Sequence, residues 1–305
     1  MKSRVVRLSP FPAGAALAAA RGRGLSSTSS AEIVIPKKSA VASKIVSEFE
    51  RRAARAELLA GQTEVAREPL QFAAGLYRVQ GRIAAALGAA HGQDAWSGHL
   101  EEDVDRFLDQ VSWILRYAAE EGPEALAGEA RARQQDLPST SRSRLIVYWS
   151  GDRPSTEDYL SRSILRPYVE FLRSINLAPD RVHRRGECPF CGGAPWISAR
   201  REGSLMEGAR RMLGCALCGG EWLFGRILCP SCSEGDPHKL PSFQNEKHKA
   251  VRIEACESCR QYLLNVDLLA DPSAVPMVDE LAALPLDLYA RDRGFTKIIP
   301  NLMGF

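Results

Sequence analysis

The stretch Cys188–Cys259 holds all eight cysteines of the chain, and each belongs to a pair separated by two residues. The pairs are CPFC (188–191), CALC (215–218), CPSC (229–232) and CESC (256–259). The second pair follows the first by 27 positions, the fourth follows the third by the same interval, and a shift of 41 positions maps one half onto the other. Such internal repetition predicts one structural unit carried twice.

Thiolate geometry gives this spacing a chemical meaning. A Cys-x2-Cys turn can point two sulfurs at one ion, and two such turns complete a closed tetrahedron. Thiolates are soft ligands, and four of them favour Zn²⁺ or iron over hard cations. The sequence does not distinguish between these two metals. We therefore predict two metal ions per chain, with cysteines that neighbour in sequence sharing an ion. The predicted ligands are Cys188, Cys191, Cys215 and Cys218 for one ion, and Cys229, Cys232, Cys256 and Cys259 for the other.

The residue after the second cysteine of each pair differs between the two units. Gly192 and Gly219 stand there in the first unit, where glycine readily adopts a left-handed backbone. Ser233 and Arg260 take those places in the second unit. If they adopt the same conformation, each costs about 1–2 kcal/mol, so the second site is predicted to be the less ideal one.

Two other readings of the cysteines are open. Eight cysteines could form four disulfides, but a long chain with a large cysteine-free portion does not need such crosslinks. A single Cys-x2-Cys could be a thioredoxin-like redox pair, but that motif would not occur four times at repeated spacing. Metal sites made of thiols favour a reducing compartment, and we expect a cytoplasmic protein.

Composition limits the function classes. Of the 305 residues, 45% are hydrophobic and 25% are charged, as in soluble globular proteins. The formal net charge of +3 does not by itself indicate a nucleic-acid partner, and we predict none. No apolar run approaches the roughly 20 residues of a membrane span. The sequence also lacks a P-loop or dinucleotide-binding fingerprint in the required context, so no catalytic residue is predicted.

The remaining chain suggests an α+β multidomain protein. We expect a disordered leader at 1–38, although a transit peptide and a signal segment are alternatives. Apolar periodicity predicts an all-helical domain at 39–180, with Pro167 kinking or restarting its last helix. Two rubredoxin-like or zinc-ribbon units follow at 181–228 and 229–270, with strands at Trp222–Ile227 and Tyr262–Leu268. A C-terminal helix at Ala274–Arg293 and an apolar tail that packs back onto the body complete residues 271–305.

Within the helical domain, helices are predicted over about 39–60, 65–87, 100–121 and 155–178. Residues 123–141 are polar and include a Ser/Arg-rich run, which predicts a connector. Residues 145–149 are consistent with either a short strand or the end of a helix.

Several motifs together resemble the FdhE family of formate dehydrogenase accessory proteins. They are CPFCGGAP, CALCGGEW, the CPSC and CESC pairs, the upstream RPYVEFL and, above all, the tail DELAALPLDLYARDRGFTKIIPNLMGF. The resemblance runs from about residue 40 to 305 and is strongest from Cys188 onward. It implies a helical domain joined to a tandem rubredoxin-like module, with the eight cysteines as metal ligands.

The resemblance also implies a function: a non-catalytic factor that binds the catalytic subunit of formate dehydrogenase and matures it. The oligomeric state is left open, with a homodimer as one option. Two other functions fit the cysteine pattern. One is a zinc-ribbon protein that binds nucleic acid through arginines of the first unit, and the other is a rubredoxin-like electron carrier.

Overall fold

The computed structural model of the chain describes residues 5–8, 40–90, 95–150, 158–203 and 208–304. Within these ranges a helical region precedes a sheet region with two short C-terminal helices. This confirms the predicted α+β architecture. The predicted disordered leader lies outside the described residues except at strand β1 (Val5–Leu8), which is paired.

Seven helices make up the described part of the helical region. They are α1 (Ala40–Ala60), α2 (Arg67–Ala90), α3 (Leu100–Asp103), α4 (Leu108–Glu121), α5 (Glu124–Arg133), α6 (Pro138–Ser150) and α7 (Tyr159–Ser174). Helices α1 and α2 pack along each other, and α2 also packs against α4 and α7. α7 is the central helix, because every residue from Leu160 to Leu172 is buried.

Two helical predictions need correction, and one open alternative is decided. The predicted connector at 123–141 is instead α5 and the start of α6, because α5 buries only the small residues Ala127 and Ala130 and therefore looks polar in sequence. Residues 145–149 form the end of α6, which is the second of the two predicted alternatives. The predicted single helix at 100–121 is interrupted, since the buried Asp103 carboxylate accepts hydrogen bonds from the Gly98 N–H at 3.0 Å and the Tyr168 hydroxyl at 2.6 Å.

α7 continues through Pro167 and is neither ended nor restarted there. A proline in a helix has no N–H, so the carbonyl four residues earlier loses its helical partner. Here that carbonyl belongs to Ser163, and the side-chain amide of buried Gln80 on α2 donates to it at 2.8 Å. A neighbouring helix therefore supplies the hydrogen bond that the proline removes.

Replacing Gln80 with leucine should therefore destabilise the helical region. The buried Ser163 carbonyl would lose its donor, and an unsatisfied buried polar group costs about 1–3 kcal/mol. Urea unfolding followed by circular dichroism measures the change. Gln71→Leu, at an exposed position of the same helix, is the matched control and should change the free energy of unfolding by no more than about 0.5 kcal/mol. Equal effects of the two substitutions would contradict the assigned role of Gln80.

The sheet region contains eight described strands in one sheet. After β1 they are β2 (Pro195–Arg201), β3 (Arg210–Cys215), β4 (Glu221–Leu223), β5 (Ser242–Asn245), β6 (Val251–Ala255), β7 (Gln261–Asp267) and β8 (Thr296–Lys297). The strand order is β1-β5-β6-β7-β2-β3-β4, and β8 pairs with β7. The strand predicted at Tyr262–Leu268 matches β7 to within a residue, whereas β4 is shorter than the predicted Trp222–Ile227.

The two cysteine-bearing units share this sheet. Each unit contributes three strands linked in antiparallel fashion, β2-β3-β4 and β5-β6-β7. The last strand of the second unit, β7, pairs in parallel with the first strand of the first unit, β2, from Ile197 opposite Leu264 to Arg200 opposite Asp267. At the far side, β1 runs parallel to β5.

The C-terminal segment forms two helices rather than the single predicted one. α8 spans Pro276–Ala282 and α9 spans Leu284–Asp292. Pro285 explains the break, because its missing N–H cannot continue the hydrogen-bond ladder of α8. The chain leaves α9 through Gly294, whose φ is +75°, at the predicted position. Beyond it Phe295, Ile298 and Ile299 are buried, as predicted for the tail.

A buried ionic cluster joins the tail to these helices. The Lys297 ammonium group contacts the carboxylate of Glu280 on α8 and lies 3.2 Å from that of Asp287 on α9. Asp287 also accepts hydrogen bonds from the Tyr262 hydroxyl at 2.8 Å and the Asn301 amide at 3.1 Å. The side chains of Lys297, Glu280 and Asp287 are at most 1% exposed, so each charge depends on its partners rather than on water.

Arginines of α7 connect the helical region to the sheet region. Arg162 and Arg166 both lie over the indole of Trp196 at the start of β2, at 5.2 and 5.1 Å from the ring centroid. Arg162 also donates to the Pro300 carbonyl at 2.7 Å. Among the residues described, no helix is both long and apolar enough to cross a bilayer.

Candidate metal centres

The structure brings the eight cysteines together as two groups of four, each group composed of neighbours in sequence. The first cluster is Cys188, Cys191, Cys215 and Cys218, and the second cluster is Cys229, Cys232, Cys256 and Cys259. Within each group the four sulfurs lie within 4.8 Å of one another. The pairs predicted from spacing therefore meet in space.

The sulfur distances fit a tetrahedral ion and exclude disulfides. In the first cluster Cys188 Sγ lies 3.6 Å from Cys218 Sγ, and Cys191 Sγ lies 3.5 Å from Cys215 Sγ. The corresponding distances in the second cluster are 3.7 and 3.6 Å. A disulfide needs about 2.05 Å, whereas a tetrahedron with metal–sulfur bonds of about 2.3 Å needs sulfurs about 3.8 Å apart. Each cluster could therefore hold one metal ion.

The turns that carry the cysteines repeat the same hydrogen bonds. In the first unit the Gly192 N–H donates to the Cys188 carbonyl at 2.9 Å, and in the second the Ser233 N–H donates to the Cys229 carbonyl at 3.0 Å. Backbone N–H groups also approach sulfur, as Leu217 and Gly220 do at 3.3 and 3.4 Å from the sulfurs of Cys215 and Cys218. Such donors stabilise thiolates, which a metal requires.

The left-handed residues occur where the sequence predicts them. Gly192 and Gly219 both have φ of +63°, and their counterparts Ser233 and Arg260 have φ of +64° and +58°. The second unit therefore holds two side-chain-bearing residues in a conformation that favours glycine.

Replacing Ser233 with glycine should stabilise the second unit. The substitution removes a left-handed strain of about 1–2 kcal/mol, and the added freedom of glycine in the unfolded chain offsets about 0.5–1 kcal/mol of that gain. The net increase in the free energy of unfolding should be about 0.5–1 kcal/mol, measured by urea denaturation of the metal-loaded protein. Ser112→Gly, at an exposed position within α4, is the control and should destabilise by about 1 kcal/mol. A loss of stability on Ser233→Gly would show that the strain is smaller than the entropic cost of glycine, which contradicts the prediction.

The sulfurs of the first cluster influence one another's protonation. Burial raises the pKa of the Cys215 thiol, and hydrogen bonds with the other cysteines raise it further. An ion bound here would displace the protons of the cysteine thiols, so binding is coupled to proton release. The donor set is purely soft sulfur, which suits Zn²⁺ or iron and not Mg²⁺ or Ca²⁺.

A buried charge pair of the helical region supports the first cluster, and sequence reasoning did not find it. The Arg52 guanidinium donates to both carboxylate oxygens of Glu170 at 2.7 and 2.8 Å, and Arg166 donates to the same carboxylate at 2.7 Å. A Cβ on Gly219 would lie 3.0 Å from the Glu170 carboxylate, so the cluster's second turn packs directly on this pair. The sequence signal that could have revealed it is the pair Arg166 and Glu170, two charged residues four positions apart among the apolar residues of α7.

Three arginines on the strands of the first unit form ion pairs. Arg200 pairs with Asp267 at 2.8 Å, Arg201 with Glu221 at 2.6 Å, and the buried Arg211 with Glu254 at 2.8 Å. Carboxylates that already hold these guanidinium groups compete with phosphate. Each of these three guanidinium groups is therefore already engaged by a carboxylate.

Comparison with known proteins agrees with the resemblance seen in the sequence. Residues 227–303, which include the second cluster and the tail, match the family model described as "FdhE, C-terminal domain". The resemblance to the FdhE family is confirmed. The "Protein FdhE homolog" of Aquifex aeolicus (strain VF5) is 29% identical over 213 residues, covering 67% of this chain and 72% of that protein. That of Pseudomonas putida (strain KT2440) is 35% identical over 121 residues, which is 38% of each.

A solved structure shares the fold. The crystal structure of the FdhE protein from Pseudomonas aeruginosa superposes with a TM-score of 0.60 over 83% of this chain and 94% of that chain, at 23% identity. The helical region followed by a sheet region with two four-cysteine clusters is therefore an FdhE-like fold.

Proposed function

We propose that this FdhE-like protein is an accessory factor that binds the catalytic subunit of formate dehydrogenase and takes part in its maturation. The eight cysteines act as ligands of two ions, iron or zinc. The protein performs no turnover itself and acts in the cytoplasm.

The observation that carries this proposal is the presence of two complete four-cysteine clusters in a chain whose C-terminal part matches the FdhE domain. Four protein ligands close a tetrahedral site and leave no open position for a substrate or an activated water. An ion held in this way organises the surrounding turns rather than performing hydrolytic chemistry. This geometry therefore supports a binding function, in which the ions maintain the surface that contacts a partner.

The test is a strain that lacks this protein. It should contain the formate dehydrogenase polypeptide but show little formate-dependent dye reduction, and the wild-type gene should restore that activity. A version with all four cysteines of the first cluster replaced by serine should restore it poorly, because the domain that contacts the client would be disordered. Lys239→Met, at an exposed position of the sheet region, should restore it fully.

Two further measurements accompany this test. The wild-type protein should co-purify with the catalytic subunit, and elemental analysis should find two equivalents of iron or zinc per chain. Full formate dehydrogenase activity in the null strain under every growth condition would overturn the maturation role. A protein that purifies from reducing cells without bound metal would overturn the ligand assignment.

A further inference from the structure

The two clusters differ in their access to solvent. All four cysteines of the first cluster are buried, with Cys191, Cys215 and Cys218 at 0% exposure. In the second cluster Cys229 and Cys256 are buried, Cys259 is half-buried and Cys232 is exposed. Since both clusters have nearly the same sulfur distances, the difference lies in what covers them and not in their internal geometry.

The first cluster is covered by the helical region and the preceding chain. Its second turn packs on the Arg52–Glu170 pair, and a Cβ on the next residue, Gly220, would lie 3.0 Å from the Arg173 guanidinium. A Cβ on Gly192 in the first turn would lie 2.6 Å from the Val182 carbonyl. A sulfur of this cluster therefore cannot swing away from an ion unless the helical and sheet regions separate.

In the second cluster one turn is anchored to the C-terminal tail. The Arg260 guanidinium, directly after Cys259, lies over the ring of buried Phe295 at 3.9 Å and donates to the Arg293 carbonyl. Cys256 sits at the end of β6, and its N–H donates to the Gln261 carbonyl at 2.9 Å. These contacts fix the two ligands of this turn.

The other turn of the second cluster has a fixed backbone but unequal cover: the Cys229 N–H donates to the Glu234 carbonyl at 2.8 Å, and the Glu234 carboxylate accepts a hydrogen bond from the Ser258 hydroxyl at 2.6 Å. A Cβ on Gly186 would lie 2.0 Å from the Pro230 carbonyl, so the chain next to buried Cys229 is tightly packed. Cys232 lies at the opposite end, followed by the left-handed Ser233, and is exposed although its sulfur is 3.6 Å from that of Cys256. The second cluster thus has three cysteines that are buried or half-buried and one, Cys232, that is exposed.

We propose that the second cluster is an exchange site, at which an incoming thiolate replaces Cys232 on the metal, while the first cluster retains its ion permanently. In the exchange the bond from the metal to the incoming sulfur forms and the bond to Cys232 Sγ breaks. Cys232 leaves as a thiolate and takes a proton from water, and no electron is transferred. The ligand class is a soft anionic sulfur donor, either a small thiol or a cysteine of a partner protein. The inference rests on the metal content proposed above.

The experiment uses the full chain loaded with Zn²⁺, with reduced glutathione as the incoming thiolate and a colorimetric chelator to report release. We expect one of the two ions to leave in a fast phase whose rate rises with glutathione concentration, and the other to leave in a slow phase that does not depend on it. Iodoacetamide applied to the loaded chain should label Cys232 before any other cysteine, as read by peptide mass spectrometry. Release of both ions in a single phase would overturn the proposal.

A pair of variants at equivalent positions sharpens the test, because the 41-residue shift maps Cys191 onto Cys232. Cys232→Ser should lose the glutathione-dependent phase, whereas Cys191→Ser should keep it. Early labelling of Cys191 in the wild-type chain, or a glutathione-dependent phase that persists in Cys232→Ser, would contradict the assignment. If a variant fails to fold, the labelling order of the wild-type chain decides. A chain that binds two zinc ions and releases both in one kinetic phase overturns only the exchange role. A chain that binds no zinc overturns the proposed metal content, on which the exchange role depends.

Discussion

A chain in which Cys188 and Cys191 are both replaced by serine should bind one metal ion instead of two and lose the ordered structure of its first unit. Structural zinc in small modules contributes an apparent binding free energy of about 10–16 kcal/mol, and that energy is coupled to folding. The first cluster also contacts the Arg52–Glu170 pair, so its loss would remove packing from a buried ion pair of the helical region. Native mass spectrometry gives the metal count, and limited proteolysis reports the order of the sheet region.

The matched control is the double variant Cys229→Ser with Cys232→Ser, at the equivalent positions of the second unit. It should also lose one ion but should leave the first unit docked on the helical region. Helical circular dichroism should survive in both variants, because α1 packs along α2, and α2 packs against α4 and α7. Loss of both ions, or of neither, from the first variant would contradict the assignment of its cysteines to one cluster.

Replacing Lys297 with methionine should produce the second large effect. The substitution preserves most of the side-chain volume but leaves the carboxylates of Glu280 and Asp287 buried without their cation. Removing one partner of a buried ion pair costs about 3–5 kcal/mol. Urea denaturation of the metal-loaded protein measures the loss. Lys239→Met is the control, because its exposed ammonium lies 3.6 Å from Glu234 and an exposed pair contributes at most about 1 kcal/mol.

The deficit of Lys297→Met should depend on pH in a defined direction. Burial raises the pKa of Glu280 above its usual value, and loss of the ammonium group would raise it further. A carboxyl whose pKa is higher in the folded than in the unfolded state lowers the free energy of unfolding when the pH is above the folded-state pKa. This destabilisation disappears as the pH falls toward the unfolded-state pKa. The difference in unfolding free energy between the wild type and the variant should therefore be smaller at about pH 5 than at about pH 8. An equal difference at both pH values would show that the loss comes from packing alone.

The cysteine pattern was the most predictable part of the structure. Coordination by a Cys-x2-Cys turn depends on a few adjacent residues, so the spacing was enough to predict which cysteines meet. The 41-residue repeat also identified Ser233 and Arg260 as the residues that would be left-handed if both units had the same backbone, as they do. The strand after the last cysteine pair was also predictable, because β7 begins directly after that turn. These features are local in sequence.

The features that escaped prediction depend on contacts between distant residues. Periodicity placed the apolar residues of α7 inward, but the burial of Arg166 and Glu170 depends on Trp196 and Arg52, which lie far away in sequence. Likewise, Pro167 predicts a disrupted helix until Gln80 of α2 is seen to supply the missing donor. The parallel pairing of β7 with β2 had no local signal, since it joins strands of two different units.

The pairing of β7 with β2 has a consequence for self-assembly. It is a head-to-tail contact, in which the third strand of one unit meets the first strand of the other. Repeated between molecules, a contact of that kind gives an open filament unless the rotation closes a ring. The six strands of the two units therefore end in a first strand at one edge, β5, and a third strand at the other, β4. If β4 of one copy paired with β5 of the next as β7 pairs with β2, the copies would polymerise. The N-terminal strand β1 lies along β5 and occupies the edge that a second copy would need. At the opposite end β4 offers only three residues, and a short edge strand is a poor template for fibre growth.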